Sequence, residues 1–223
     1  MDDRIEVASS PCGGGEAEFG FPRMLPEIAA LVLAGGEGRR MGGGKQARPL
    51  GSRRLLDYAI EAAGRHGGPV AISVRDPAQA PPGMEFVIDS ERAEGPLAGL
   101  VAGLAWAELS GALFLLTVPC DAPFLPGDLA VRLLDRLRQT GAMVALPMSA
   151  GRLHPSCGLW RIDALMHVTA YLATGRTSLH GFTELVGLAV EDWGAPERDP
   201  FFNVNTQEDL AIARAWLTQP HLE

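Results

Sequence analysis

Leu31-Val-Leu-Ala-Gly-Gly-Glu-Gly-Arg-Arg-Met-Gly-Gly-Gly-Lys45 is the stretch on which the fold turns. It completes an apolar run from Ile28 to Leu33 that reads as a buried strand. The run then breaks into a loop carrying Gly35, Gly36, Gly38, Gly42, Gly43 and Gly44. Glycine lets backbone approach a ligand closely, and successive N–H groups in such a loop can cradle an anion. Arg39, Arg40, Lys45, Arg48, Arg53 and Arg54 fall within sixteen residues that hold no Asp or Glu, in a chain of net charge −8. That local excess of positive charge suits a polyphosphate. Lys45 is the only lysine among 19 basic residues. Its compact ammonium is a point-charge phosphate binder that arginine does not replace geometrically. The competing reading is a glycine-rich turn with a solvated basic edge.

Two better-known phosphate loops do not fit. The P-loop requires Ser or Thr after its Gly-Lys pair, and Gln46 follows Gly44-Lys45. The dinucleotide pattern Gly-x-Gly-x-x-Gly aligns with Gly36 and Gly38 but meets Met41 at its third glycine.

Outward from this loop the sequence alternates strand and helix. Leu55, Leu56, Ala59, Ile60 and Ala63 share one helical face, and Pro69 to Val74 reads as a strand. A short strand, Glu85 to Ile88, delivers Asp89 and Ser90. Pro96 fits the first turn of a helix running to about Glu108. Ala112 to Val118 is apolar throughout except for Thr117, as expected of a central parallel strand covered on both faces, and leads into Pro119-Cys120-Asp121. Pro126 and Asp128 open a further helix with Leu129, Leu133, Leu134 and Leu137 inward. The order implies an α/β fold: a doubly wound, mostly parallel sheet with helices on both faces. The C-terminal half is more irregular. Ala142 to Leu146 and Ser156 to Trp160 are candidate strands, the second at an antiparallel edge. Ile162 to Leu172 and Thr177 to Val186 read as helices, and Thr206 as the N-cap of a last helix through Leu217.

The 223 residues suffice for one sizeable domain, placed at 26–219, behind a flexible tail at 1–25 that contains Gly13-Gly-Gly15. The tail lacks the apolar core of a signal peptide, and no apolar stretch is long enough to span a bilayer. Acidic balance argues against a nucleic-acid surface. Cys12, Cys120 and Cys157 have neither metal-ligand spacing nor an even count, so the expected location is the cytoplasm.

In open parallel sheets ligands bind beyond the carboxyl ends of the strands. The glycine loop, Asp89 and Asp121 all meet that condition. A carboxylate there is a natural magnesium ligand, and magnesium commonly takes one or two carboxylates plus substrate phosphate oxygens. Asp121 is therefore the candidate metal ligand. Asp89 reads either as a nucleotide contact or as a simple turn residue.

Leu33-Ala-Gly-Gly-Glu-Gly-Arg-Arg-Met-Gly42 with Lys45 closely resembles the opening signature of the sugar-nucleotide type of nucleotidyltransferase. Ile88-Asp-Ser90, Gly95-Pro-Leu-Ala-Gly99, Pro119-Cys-Asp-Ala-Pro-Phe-Leu-Pro126 and Phe202-Asn-Val-Asn-Thr206 follow in order. Within that superfamily the chain is most similar to the molybdenum cofactor guanylyltransferase family. The resemblance implies a Rossmann-like nucleotidyltransferase fold. The implied reaction is magnesium-dependent transfer of GMP from GTP to molybdenum-carrying molybdopterin, with release of pyrophosphate. It further implies that Leu33, Ala34, Gly35 and Gly36 contact the nucleotide, that Lys45 binds its phosphates with Arg39 and Arg40 assisting, and that Asp89 and Asp121 contact nucleotide and nucleotide-plus-Mg2+ respectively. Asn203 and Asn205 fall on the metal or acceptor side, or else form a plain helix start. Proteins of cofactor insertion or molybdoenzyme maturation are the expected partners for product hand-over.

Two departures stand out. Gly44 precedes Lys45 where the family usually has an acidic residue, and Ser73 takes the place of a nucleotide-contacting asparagine. Use of CTP, another phosphorylated acceptor, or a non-catalytic nucleotide-binding regulatory role are the alternatives these leave. His154 reads as a surface histidine or an acceptor contact, and Cys120 as an inert buried thiol.

Overall fold

The computed structural model describes residues 25, 27–35 and 48–218. Its central feature is an eight-stranded sheet in the order β10-β7-β9-β6-β1-β4-β5, with β8 appended to β7. The first half supplies β1 (Ile28–Leu33), β4 (Val70–Val74), β5 (Phe86–Ile88) and β6 (Phe114–Pro119). All four run parallel, β1 lying between β4 and β6. Helices α1 (Leu55–Gly64), α2 (Gly95–Leu109) and α3 (Leu129–Thr140) make the connections.

Side-chain alternation along β1 explains the layering. Ile28, Ala30 and Val32 face one way, packing with Leu56, Ala59 and Ala63 of α1 and Leu133, Leu134 and Leu137 of α3. Ala29 and Leu31 face the other way, toward Leu97, Leu100 and Leu104 of α2. Both faces of the strand are thereby covered, which is why its sequence is apolar without a polar beat. Burying each such leucine contributes about 1.5–3 kcal/mol. Helix α2 comes unusually near the sheet because Gly99 and Gly103, one turn apart, face it. A Cβ at Gly103 would strike Leu31, and one at Gly99 would strike Ser73 and Leu33. Helix α3 ends on Gly141, whose φ of 69° is the left-handed cap and whose N–H bonds Leu137 O.

The second half builds β7 (Val144–Ser149), β8 (Arg152–Leu153), β9 (Gly158–Arg161) and β10 (Leu188–Asp192), with α4 (Val168–Ala173), α5 (Leu179–Val186) and α6 (Gln207–Thr218). Strand β9 is antiparallel, as expected, but it is not an edge: it is inserted between β6 and β7. Its place is fixed by Thr117, the polar residue of β6. Thr117 Oγ1 accepts from Gly158 N (3.1 Å) and Trp160 Nε1 (3.2 Å), and donates to Gly158 O (3.2 Å). Trp160 is wholly buried as a result. Strand β10, parallel to β7, takes the edge instead. The expected helix over 162–172 is two pieces, a 3-10 segment Ile162–His167 and then α4. A small hairpin, β2 (Pro49–Leu50) with β3 (Arg53–Arg54), stands apart from the main sheet. Leu50 and Leu55 join Val204, Leu210 and Ala213 in a third core, so α6 is packed against the hairpin. Leu25 is already part of the folded body: it is buried, and its N–H bonds His66 O at 2.9 Å.

Candidate active site

The parallel strands deliver their carboxyl ends to one rim. There β1 passes into Ala34-Gly35, β4 ends in Ser73-Val74, β5 is followed by Asp89, and β6 by Cys120-Asp121. Backbone bonding continues past the strand ends. Ala34 N donates to Ser73 O (3.1 Å), Cys120 N to Leu33 O (3.3 Å) and Asp89 N to Val74 O (2.8 Å). The rim is therefore held by the sheet's own ladder.

These residues, the start of α2 at Gly95-Pro96, and Ser156 line a cleft of about 190 Å³. That is below the ~300–1,000 Å³ typical of pockets enclosing a whole drug-sized ligand, and it suits one moiety of a nucleotide. Asp89 is more than a turn residue. Its Oδ1 accepts the Ser73 hydroxyl, its Oδ2 overhangs Gly35, and Arg75 Nε lies 4.0 Å from Oδ2. Ser73 is only 1% exposed, so its hydroxyl acts on the cleft through Asp89. Gly35 is required at its position for a matching reason, since a Cβ there would collide with the Asp89 carboxylate.

Asp121 is half-buried, and its backbone oxygen accepts Val204 N–H at 2.8 Å. That bond brings the Asn203-Val204-Asn205 segment alongside β6, although the segment lies more than eighty residues further along the chain. Asn203 Oδ1 is buried without a hydrogen-bond partner among the described residues. Asn205 is exposed, and its Nδ2 reaches Asn203 O at 3.5 Å. The helix-start reading holds for Thr206. Thr206 Oγ1 accepts Asp209 N (3.0 Å), and Asp209 Oδ2 accepts both Thr206 N (2.8 Å) and Asn205 N (2.8 Å).

No group of three or more His, Cys, Asp or Glu gathers among the described residues. A cation here would depend on the Asp121 carboxylate, neutral oxygens such as the unpartnered Asn203 amide, and the ligand's own oxygens. That hard-oxygen, carboxylate-poor set fits Mg2+ and not a thiolate- or imidazole-binding metal.

The expected nucleotide contact Gly36 and the expected phosphate-binding residues Arg39, Arg40 and Lys45 lie outside the described residues. Leu33, Ala34, Gly35, Ser73, Asp89 and Asp121 are gathered on the rim. His154 corrects the sequence reading: it is 6% exposed, bonded to Ser149 and stacked on Phe201, because the hairpin before β9 turns it inward. Cys120 and Cys157 are both buried, and burial pushes the Cys157 thiol up, away from thiolate. Sequence reasoning missed Arg75 and Ser156. The strand-end rule that selected Asp89 would also have found Arg75 after β4. Nothing local marks Ser156.

The MobA-like NTP transferase domain family matches residues 30–185. The chain is 44% identical over 193 residues to a molybdenum cofactor guanylyltransferase of Cereibacter sphaeroides, covering 85% of this chain and 97% of that protein. It is 42% identical to the enzyme of that name from Acidiphilium cryptum, over 84% and 94%. Among solved structures, molybdopterin-guanine dinucleotide biosynthesis protein A from Archaeoglobus fulgidus superposes with a TM-score of 0.69 at 22% identity, covering 85% of this chain and 98% of that one. At that identity the structural match speaks for the fold alone.

Proposed function

We propose, since this chain belongs to the MobA-like NTP transferase family, that it transfers GMP from GTP to molybdenum-bearing molybdopterin, giving the guanine dinucleotide cofactor and pyrophosphate. The observation that carries this reading is the convergence of Asp89 and Asp121, each closing a parallel strand, on one cleft beside the start of α2.

The terminal phosphate of molybdopterin attacks the α-phosphorus of GTP. A P–O bond forms to the acceptor, the bond to the bridging α–β oxygen breaks, and pyrophosphate leaves. The nucleophile is already anionic, so no general base is needed, and positioning with charge neutralisation carries the catalysis. Leu33, Ala34 and Gly35 lie against the nucleotide and let it approach the β1 backbone. Asp89, held by Ser73, accepts from the guanine nucleotide. Gly36 contacts the nucleotide, and Lys45, assisted by Arg39 and Arg40, neutralises the phosphates. Asp121, with Asn203 as the neighbouring neutral oxygen, would hold Mg2+, which supplies Lewis-acid stabilisation of charge developing on the α- and β-phosphates. Asn203 and Asn205 face the acceptor. Residues 25–219 work as one domain in the cytoplasm, Leu25 being already part of the core, and the product passes to proteins of molybdoenzyme maturation. Among the described residues no helix is long and apolar enough to cross a membrane.

The test supplies molybdopterin and magnesium with GTP, CTP, ATP or UTP. Pyrophosphate and a GMP-containing pterin with GTP alone support the reading. Transfer from CTP alone would keep the chemistry and replace the base, an outcome for which Ser73 in place of asparagine gives a reason. Asp121→Asn separates an enzyme from a regulatory binder. Turnover should fall about 100-fold or more, in the range for removal of a transition-state charge stabiliser, while nucleotide affinity changes far less.

A further inference from the structure

Ser149, at the end of β7, is fully buried between one partner five residues on and a second fifty residues on. Its Oγ lies 2.7 Å from His154 Nε2 and 2.8 Å from Asp199 Oδ1. A carboxylate accepts only, so Ser149 donates to Asp199. His154 must then carry its proton on Nε2 and donate to Ser149. The order His154→Ser149→Asp199 makes the imidazole a donor to the hydroxyl, so it cannot serve as the base that a Ser–His nucleophile needs. This is a structural relay and not a nucleophile.

One end of the relay holds a residue that lines the cleft, and the other holds a segment bonded to the cleft residue Asp121. On one side His154 O accepts Cys157 N–H (2.9 Å), closing the turn that places Ser156 in the cleft. On the other, Asp199 Oδ1 also accepts Phe201 N–H (2.9 Å), and the His154 ring stacks on Phe201 with centroids 4.8 Å apart. Phe201 leads directly into Asn203, Val204 and Asn205, the segment bonded to Asp121.

We infer that His154, Ser149 and Asp199 are positioning residues for the acceptor: they lock Ser156 and the Asn203–Asn205 segment into one pre-formed wall against which the phosphorylated pterin docks. The inference rests on the proposed transferase reaction. Before turnover the wall is held by a buried polar chain and not by the substrate, so the ordering cost is met in folding and is not charged to acceptor affinity.

The experiment compares wild type, His154→Ala, His154→Gln and Ser149→Ala in steady state, varying GTP and molybdopterin separately, with GTP affinity measured by calorimetry. In His154→Ala and Ser149→Ala, KM for molybdopterin should rise about tenfold while KM and affinity for GTP stay within about twofold. His154→Gln retains a donor near the Nε2 position and should recover most of the loss. A parallel fall in GTP affinity, unchanged acceptor KM, or a glutamine variant as poor as alanine would each overturn the positioning role. Absence of turnover in the wild type would instead overturn the reaction on which it rests.

Discussion

Ser73 is the residue that holds the Asp89 carboxylate at the cleft. The sequence reading offers it as a nucleotide contact; it lines the cleft, and its hydroxyl bonds the Asp89 carboxylate. Ser73→Ala deletes one hydrogen bond to a charged group, worth about 1.5–3 kcal/mol. GTP affinity measured by calorimetry should fall at least several-fold, and the thermal midpoint should drop by several degrees, at about 2–4 °C per kcal/mol. An unchanged affinity would separate Asp89 orientation from nucleotide binding. The two buried histidines give a pH signature. Burial lowers the pKa of His66, and burial also lowers that of His154, with Asp199 partly opposing. The unfolded chain, titrating near 6.5, then binds protons that the native chain refuses. The associated stability is present above that value and is lost as pH falls through it toward the lower native values. Urea midpoints should decline between pH 7.5 and 5.5, and His154→Gln should flatten part of that slope.

Elements differ in how plainly they were written. Strands β1, β4 and β6 and helices α1 to α3 were legible because each is covered by a neighbouring element, so periodicity and Gly/Pro punctuation agree with burial; β5 was legible from its apolar run although Phe86 and Ile88 stand exposed at the sheet edge. Strand β10 was not. Leu-Ala-Val-Glu-Asp has no strand period and becomes one only through its pairing with β7. The β2–β3 and β7–β8 hairpins have strands or partners of only two residues, too short for any pattern to register. The second of these closes through Ala150 and Gly151, with φ of 47° and 74°. Two successive positive φ values define a type I′ turn, which favours Asn-Gly. A left-handed conformation costs an alanine roughly 1–2 kcal/mol. Ala150→Asn should therefore raise stability by about 0.5–1 kcal/mol, read as a higher urea midpoint at unchanged m-value. A lower midpoint would mean that the Cγ amide collides where the alanine did not.

At the scale of the whole molecule, β9 joins the two halves of the sheet, and Trp160 anchors it between the helical layers. Trp160 is wholly buried, bonded to Thr117, and stacked 6.0 Å from Phe182. Trp160→Ala should destabilise by about 3–5 kcal/mol, measured by urea unfolding, and should loosen the acceptor wall beyond β9 together with the core. A loss below about 1 kcal/mol would mean the halves are joined by backbone pairing alone. The sequence by itself determined the parallel α/β plan and the placement of Asp89 and Asp121 at the carboxyl ends of their strands. Strand periodicity is local, and the strand-end rule converts chain order directly into location. Only the tertiary structure decided that β9 enters the middle of the sheet, that Ser73 serves Asp89, that His154 is internal, and that Asn203 arrives beside Asp121. Those facts depend on pairings between segments as many as eighty residues apart. No local pattern encodes such a pairing, because the partner's burial and spare hydrogen bonds exist only once the chain has closed.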